Sequence, residues 1–260
     1  AESRLVCKHV RGKGGKEVVV GEFDDGFLLD GEAVSEEELC ARVADLSAYL
    51  VTEHVTQHAY ADDLYPDASN TIRILTIWDQ VAEDLDSPVA VHRIGTERSR
   101  PLDNFSAGGL TAEIDLETGR LGPAAQFPYD GAVPRYADHP DTGNRIEGVT
   151  VPNWDAVLET VERMALANTN IPVLGWDVLI DTAGTPIVIE ANTGCGLDLF
   201  QVHRPLLAEP RVARVVSRHL PEVEPPPQSE THGLRRGSDN GRKPAIEYDP
   251  DRTTVSESAR

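Results

Sequence analysis

The sequence predicts an α+β protein in which antiparallel sheets are flanked by helices. The β-branched runs at residues 71–78 and 89–94 are typical of strands. Two further apolar runs, at 173–180 and 186–191, flank a short turn and predict a hairpin. Strand–helix–strand alternation, which would indicate a parallel sheet, is rare, so hairpin pairing is the expected organisation.

The first part of the chain predicts a hairpin followed by a helix and a short strand. The apolar residues 5–7 and a second strand at 17–21 are expected to flank a glycine-rich turn. Ser35 has the position of an N-cap, and Glu38 follows three residues later as in a capping box. A strand is expected at 49–51.

Residues 110–116 alternate as a strand does, whereas 123–150 are rich in turn residues and predict a long irregular connection. Asn153 is expected to cap a helix over 154–167. A last helix is expected over 203–219.

The composition is strongly acidic and excludes several classes of partner. Of 260 residues, 24 are basic and 44 acidic, which gives a net charge of −20. Non-specific nucleic-acid binding and docking on anionic lipid both need a basic surface. An acidic, lysine-poor chain is typical of salt-accumulating halophiles, although an ordinary acidic protein is the alternative. The sequence contains no apolar run of about 18 residues, so it predicts no membrane-spanning helix. The three cysteines show no paired spacing, which fits a cytoplasmic protein.

The strongest chemical signal is the hairpin near the C-terminal end. If its turn is the two residues Ala183 and Gly184, then Asp177 lies directly across from Glu190. Asn192 follows two residues later and shares the face of Glu190. Opposed carboxylates repel unless a cation or proton lies between them, so a metal site is predicted. The alternative is a solvated acidic face.

The turn after the first strand is a candidate phosphate site. Three of the four lysines lie within nine positions here, in a chain of charge −20. Glycine backbone N–H groups can approach phosphate oxygens closely, and lysines supply charge. A plain Gly-Gly hairpin turn is the alternative. The candidate phosphate-binding residues are Lys8, Gly12, Gly14, Gly15 and Lys16.

Together these segments resemble the ATP-grasp superfamily. The hairpin motifs GWDV and VIEANTGCGL resemble the metal-binding segment of alpha-L-glutamate ligases and of D-alanine–D-alanine ligase. The stretches NTIR at 70–73, DNFSAGG at 103–109 and GLDLFQ at 196–201 resemble the sugar-transfer-associated ATP-grasp family more closely. The resemblance covers roughly residues 5 to 205.

The resemblance implies an ATP-grasp fold that is incomplete at its N-terminus. Because the only methionine is Met164, we expect the chain to be the C-terminal part of a longer protein, with processing as the alternative. The implied organisation is a remainder of the first subdomain at 1–52, a catalytic subdomain at 53–220 and a disordered tail at 221–260. The tail has few apolar residues with which to offset the ordering entropy. Cys195 stands where related ligases often carry proline.

The resemblance also implies roles for particular residues. ATP would be held by the glycine-rich turn and by an adenine hinge that includes Leu50, Val51 and Glu53. Arg73 and Arg93 would face the γ-phosphate or an acyl phosphate, although an arginine within a strand could simply pair with an acid. Two Mg²⁺ ions, or Mn²⁺ in their place, would be bound by Asp177, Glu190 and Asn192. The implied substrate residues are Asp103, Asn104, Gly108 and Gly109, of which Asp103 and Asn104 could instead shape a turn.

The implied activity is an ATP-dependent ligase that forms an acyl phosphate from a carboxylate and joins it to an amine or similar nucleophile. The substrates would be small or sugar-linked molecules, in the assembly of surface polysaccharide. Two alternatives stay open from the sequence. One is a phosphotransferase on the same fold, and the other is a non-catalytic ATP-binding module or truncated remnant.

Overall fold

The computed structural model describes residues 3–10, 18–23, 27–29, 32–44, 48–129 and 131–219. The predicted phosphate-binding residues of the glycine-rich turn, Gly12, Gly14, Gly15 and Lys16, lie outside the described residues, as does the predicted tail at 221–260. The predicted boundary between subdomains at 52/53 falls at the end of a strand and stays a prediction.

The first sheet is formed by the N-terminal segments. Its five strands are β1 (Ser3–His9), β2 (Val18–Phe23), β3 (Phe27–Leu29), β4 (Glu32–Val34) and β5 (Tyr49–Glu53). Every neighbouring pair is antiparallel, in the order β4-β3-β2-β1-β5. The strands expected at 5–7, 17–21 and 49–51 are therefore present, and the last forms an edge of the sheet.

A helix, α1 (Glu36–Ala44), follows the first four strands and begins as predicted. The Glu38 N–H donates to the Ser35 hydroxyl, at 3.2 Å, while the Ser35 N–H donates to the Glu38 carboxylate, at 2.9 Å. These reciprocal bonds satisfy donors that a helix start leaves open, which confirms the capping box. The backbone and hydroxyl bonds from Ser35 lower the pKa of Glu38.

The second sheet holds most of the core. Its seven strands are β6 (Ile72–Asp79), β7 (Asp84–Ile94), β8 (Leu110–Ile114), β9 (Leu121–Gln126), β10 (Arg135–Tyr136), β11 (Val173–Ile180) and β12 (Pro186–Asn192). The order is β10-β9-β8-β7-β6-β11-β12, and all neighbours are antiparallel. This confirms the predicted α+β class with antiparallel sheets.

Four more helices complete the described chain: α2 (Ala59–Leu64), α3 (Trp154–Leu166), α4 (Asp198–Gln201) and α5 (Pro210–His219). Apolar residues on both faces of the second sheet are buried, as expected for a sheet covered on each side. One face packs in a cluster with α3, whose members include Ile74, Trp176, Val157 and Val161. The opposite face packs in a cluster with α4 and α5, whose members include Leu75, Val91, Phe200 and Val212.

Two sequence-based predictions were wrong. The segment 123–150 is not wholly irregular, because β9 occupies its first residues and β10 follows. The helix predicted over 203–219 is interrupted, and only its second half is α5. Pro205 and Pro210 lack the backbone N–H that a helix interior needs, so the chain instead forms a short 3₁₀ turn at Leu206–Ala208 before α5 begins.

Helix α3 begins where it was predicted, but for a different reason. Asn153 adopts a left-handed conformation with φ of 52° and makes no capping bond with its side chain. Its Nδ2 instead donates to the carbonyl of Gly184, at 2.7 Å. The side chain therefore ties the start of α3 to the β11–β12 turn.

None of the helices in the described part of the chain combines the length and the apolar character needed to cross a bilayer.

Candidate functional site

Three charged side chains form a row across the second sheet. Glu190 on β12 is the register partner of Asp177 on β11, and Asp177 is in turn the partner of Arg73 on β6. Directly opposed residues of antiparallel strands point to the same face. That face is the one opposite α3, because the neighbouring residues Ile72, Ile74 and Trp176 pack on the α3 side.

The opposition of Asp177 and Glu190 was predicted, but the turn that produces it was not. Ile180 pairs with Pro186, and the Asp181 N–H donates to the Thr185 carbonyl, so the loop has three residues rather than two. A register shift between Asp177 and Val178 leaves Ile189 as an extra residue on β12. This bulge restores the register that a two-residue turn would have given.

The Asp177 carboxylate is buried, with 4% of the residue exposed, and two arginines hold it. Arg73 binds it in a bidentate manner, with Nε on Oδ1 and Nη2 on Oδ2 at 2.6 Å. Arg93 on β7 donates from Nη1 to Oδ2 at 3.1 Å. Both arginine side chains are themselves largely buried. Burial opposes the charge of Arg73, but the bond and attraction of Asp177 outweigh it and raise the pKa of Arg73.

Arg93 lies between two acids. Its Nη2 contacts Oδ1 of Asp103 at 2.6 Å, while Nη1 contacts Asp177. Asp103 also accepts hydrogen bonds from the backbone N–H and the hydroxyl of Thr71, the residue before β6. The two arginines and two aspartates thus form one connected cluster whose formal charges cancel. The Nε of Arg93 is buried without a hydrogen-bond partner among the described residues.

Asp103 also begins the predicted substrate loop. The Gly109 N–H donates to the carbonyl of Asn104 at 3.0 Å and closes the loop around a 3₁₀ turn. A Cβ at Gly109 would lie 2.6 Å from the carbonyl oxygen of Asp103, so only glycine fits. Gly108 has a φ of +119°, which favours glycine as well. The loop therefore starts at the charged cluster and folds back towards it.

Glu190 and Asn192 lie at the open edge of this cluster. Glu190 is exposed, and its Oε1 accepts a bond from Asn192 Nδ2 at 3.0 Å. No three His, Cys, Asp or Glu side chains gather as a metal cluster in the part of the chain that the structure describes. The predicted metal ligands contain only two carboxylates, with an amide as the third donor.

The donor set nevertheless fits a hard cation. Carboxylate and amide oxygens are the ligands that Mg²⁺ takes in proteins. A carboxylate offers about four lone-pair positions. The two arginines occupy three of the four lone-pair positions of the Asp177 carboxylate, which leaves one position on Oδ1. Asp177 can therefore hold both arginines and still contribute to a cation beside Glu190.

Gly175 and Cys195 lie beside Arg73 and are closely packed there. A Cβ at Gly175 would lie 2.5 Å from Cys195 Cβ and 3.2 Å from Arg73 Cδ, so a side chain there would displace both. Cys195 packs against the apolar cluster of α4 and α5, and burial raises the pKa of its thiol. All three cysteines are free.

The predicted nucleotide-binding residues that the structure describes lie in the first sheet. Lys8 on β1 is the register partner of Leu50 on β5, and the next pairs along include Val51 and Glu53. Leu50 and Val51 are more than half exposed. The structure thus places Lys8 beside the predicted hinge. The phosphate-binding role of Lys8 and the adenine-binding role of the hinge residues stay predictions.

Sequence reasoning missed the connections within the cluster. Asp103 binds Arg93, and Thr71, which was assigned nothing, contacts both of them, while the predicted substrate role of Asp103 stays a prediction. The available signal was that a buried arginine in a strand needs an acidic partner. The identity of the acidic partner depends on how the strands are ordered in the sheet, and that order could not be predicted from the sequence.

Comparison with known proteins gives one match, to a protein family. Residues 1–215 match the protein family described as sugar-transfer associated ATP-grasp. No curated protein matches the chain, and no solved structure does. The family match supports an ATP-dependent, ligase-like function. Since the match spans well over half of the residues, the chain belongs to the sugar-transfer associated ATP-grasp family.

Proposed function

We propose that the chain uses ATP and Mg²⁺ to convert a carboxylate into an acyl phosphate, which an amine or similar nucleophile then attacks. The observation that carries this proposal is the row of Glu190, Asp177 and Arg73, joined by Arg93. It sets oxygen donors suited to a cation next to two fixed guanidinium groups suited to phosphate oxygens.

In the proposed first step, a substrate carboxylate oxygen attacks the γ-phosphorus of ATP. The bond from that phosphorus to the bridging oxygen breaks, and ADP leaves. Arg73 and Arg93 donate N–H groups to the γ-phosphoryl oxygens and balance the charge that develops there. Because strand packing and Asp177 fix both guanidinium groups, little reorganisation is needed.

Asp177, Glu190 and Asn192 would hold the metal. Bound Mg²⁺ would neutralise phosphate oxygens and so lower the cost of bringing another anion to them. Asp177 would connect the metal to the arginines, because its carboxylate already contacts both of them. Lys8, in the first sheet, would supply further positive charge to the phosphates.

In the proposed second step, the nucleophile adds to the acyl carbon, and the bond from that carbon to the phosphate-bearing oxygen breaks. Inorganic phosphate leaves with one oxygen from the original carboxylate. The loop of Asn104, Gly108 and Gly109 would contact the substrate, because it begins at the charged cluster. The family's association with sugar transfer supports a sugar-linked substrate in surface-polysaccharide assembly, in the cytoplasm where ATP is made.

Hydroxylamine trapping tests this proposal. The full chain is incubated with MgATP, hydroxylamine and a panel of amino acids and sugar acids. An acyl phosphate yields a hydroxamate together with ADP and inorganic phosphate in equal amounts. With ¹⁸O-labelled carboxylate, one label should appear in the phosphate. The variant Arg93→Gln should form none of the three products. The variant Arg163→Gln, which changes an exposed arginine of α3 on the other side of the sheet, should form all three.

The same assay separates the alternatives. A phosphotransferase that transfers the γ-phosphoryl group to a hydroxyl would form ADP and a phosphate ester, without hydroxamate or free phosphate. A non-catalytic module would bind ATP and release no ADP with any acid. Either result from a folded chain would contradict the ligase proposal.

A further inference from the structure

Asp103 is a buried carboxylate whose hydrogen-bonding capacity is directed at the protein itself. The residue is 5% exposed. Its Oδ2 accepts the Thr71 N–H at 2.8 Å and the Thr71 hydroxyl, and its Oδ1 contacts Arg93 Nη2 at 2.6 Å. All three of these contacts are made within the protein, two with Thr71 and one with Arg93.

The orientation of the Arg93 guanidinium group depends on Asp103. Asp177 is its other acidic partner, and Arg73 already binds that carboxylate through two nitrogens. The contact of Arg93 with Asp177 is the longer of its two, at 3.1 Å against 2.6 Å for Asp103. Its Nε has no partner among the residues described. Without the Asp103 charge, Arg93 would keep only its longer contact with Asp177, a carboxylate that it shares with Arg73.

Thr71 holds Asp103 in turn. The Thr71 carbonyl accepts the Arg93 N–H at 2.7 Å, so Thr71 contacts both members of the pair. The backbone of Asp103 also meets Gly109, where a Cβ would not fit. Asp103 therefore joins the end of β7, the start of β6 and the loop at 103–109.

We propose that Asp103 is a positioning residue, which aims the Arg93 guanidinium at the terminal phosphate of ATP rather than contacting substrate. The inference rests on the proposed function, because it takes Arg93 to meet the γ-phosphate. It assigns Thr71 the task of orienting the Asp103 carboxylate through its hydroxyl. It also makes the discrimination between ATP and ADP sensitive to a residue that touches neither.

Calorimetric affinities for ATP and ADP, each with Mg²⁺, test this inference on the full chain. Asp103→Asn keeps the shape but removes the charge. Its ATP affinity should fall about tenfold, as expected for one lost charge-assisted contact, while ADP affinity changes less than about twofold. Thr71→Val should lower the ratio of ATP to ADP affinity in the same direction. Thr71→Ser, which keeps the hydroxyl, should retain the wild-type ratio.

A purely structural role predicts a different result. ATP and ADP affinities would then fall together, or the ratio would stay at its wild-type value while the melting temperature drops. Either outcome overturns the inference. If Asp103→Asn does not fold, the comparison of Thr71→Val with Thr71→Ser decides. Wild-type protein that binds neither nucleotide overturns the proposed function itself, and with it the task assigned to Asp103.

Discussion

Asp177 and Glu190 are register partners across β11 and β12 because a bulge at Ile189 compensates for a three-residue loop. If Ile189 paired with Asp177 instead of bulging, Glu190 would oppose Trp176 and its side chain would point to the other face of the sheet. The row of Glu190, Asp177 and Arg73 is therefore a consequence of the bulge and the loop acting together. β12 is an edge strand, which is where bulges are common.

The loop conformation depends on Gly184. Its φ is +83°, and an added Cβ would lie 2.7 Å from Asn153 Nδ2. We expect Gly184→Ala to lower the free energy of unfolding by about 2 kcal/mol, through backbone strain and loss of the Asn153 bond. Gly143→Ala is the matched control, because Gly143 has a φ of +73° with nothing within 4 Å. It should cost about 1 kcal/mol. Equal losses in urea denaturation would contradict the Asn153 contribution.

The two arginines on Asp177 compete with a cation for its carboxylate. In the nucleotide-free protein we expect Arg73→Gln to increase Mn²⁺ affinity by about threefold to tenfold, since it removes one positive charge and two of the three hydrogen bonds to Asp177, leaving only that of Arg93 on Oδ2. Electron paramagnetic resonance of free Mn²⁺ measures this directly. Arg211→Gln, on α5 and paired with Asp84, is the control. Unchanged or weaker Mn²⁺ binding by Arg73→Gln would count against Asp177 as a ligand.

The burial of His92 predicts that the folded protein loses stability in mild acid. Its Nδ1 donates to the Arg93 carbonyl at 3.0 Å, so in the neutral ring Nε2 accepts from the Tyr60 hydroxyl at 2.9 Å. Burial lowers the pKa of His92 from 6.5 to about 4, although the bond to the carbonyl opposes this change. The unfolded chain therefore binds a proton between these values and the folded chain does not. Stability is full above pH 6.5 and falls as the pH drops towards 4.

Chemical denaturation from pH 7 to pH 4 measures this contribution, which is on the order of 3 kcal/mol for His92. The variant His92→Gln cannot titrate. We expect it to be less stable at pH 7, because its contact with Tyr60 is altered, and to have a shallower dependence on pH. If its stability fell with pH as steeply as that of the wild type, His92 would not be the responsible group.

The net charge of −20 predicts that salt stabilises the fold. The screening length is about 10 Å at 0.1 M salt and about 3 Å at 1 M, so added salt suppresses repulsion among the acids. We expect the melting temperature to rise by several degrees between 0.1 and 1 M KCl. Sucrose, which stabilises proteins without screening charge, is the control for general exclusion effects. A melting temperature that falls in KCl would contradict the halophile interpretation.

Much of the fold could be predicted because local patterns agree with it. The strands at 173–180 and 186–191 follow from apolar runs, and the capping box at Ser35 is a local motif with a defined geometry. The opposition of Asp177 and Glu190 was predicted from an incorrect turn. A three-residue loop and a bulge displace the register by one residue each, and the two displacements cancel. Neither leaves a clear signal in the sequence.

The contacts of the site were beyond sequence reasoning for a different reason. Arg73 and Asp177 are 104 residues apart, and they meet because β6 lies between β7 and β11. That order is set by the packing of whole strands rather than by local propensity. The position of Asp103 depends in addition on a loop that closes only because Gly109 carries no side chain.

The most direct test of the account is calorimetric titration of ATP into the full chain in molar KCl, with Mg²⁺ and then with EDTA. We predict binding that requires Mg²⁺ and that Glu190→Gln weakens by at least about tenfold, because one charged oxygen ligand is lost. Glu162→Gln, an exposed acid on α3, should bind like the wild type. Equal binding with Mg²⁺ and EDTA, or wild-type binding by folded Glu190→Gln, would contradict the metal site on which the account rests.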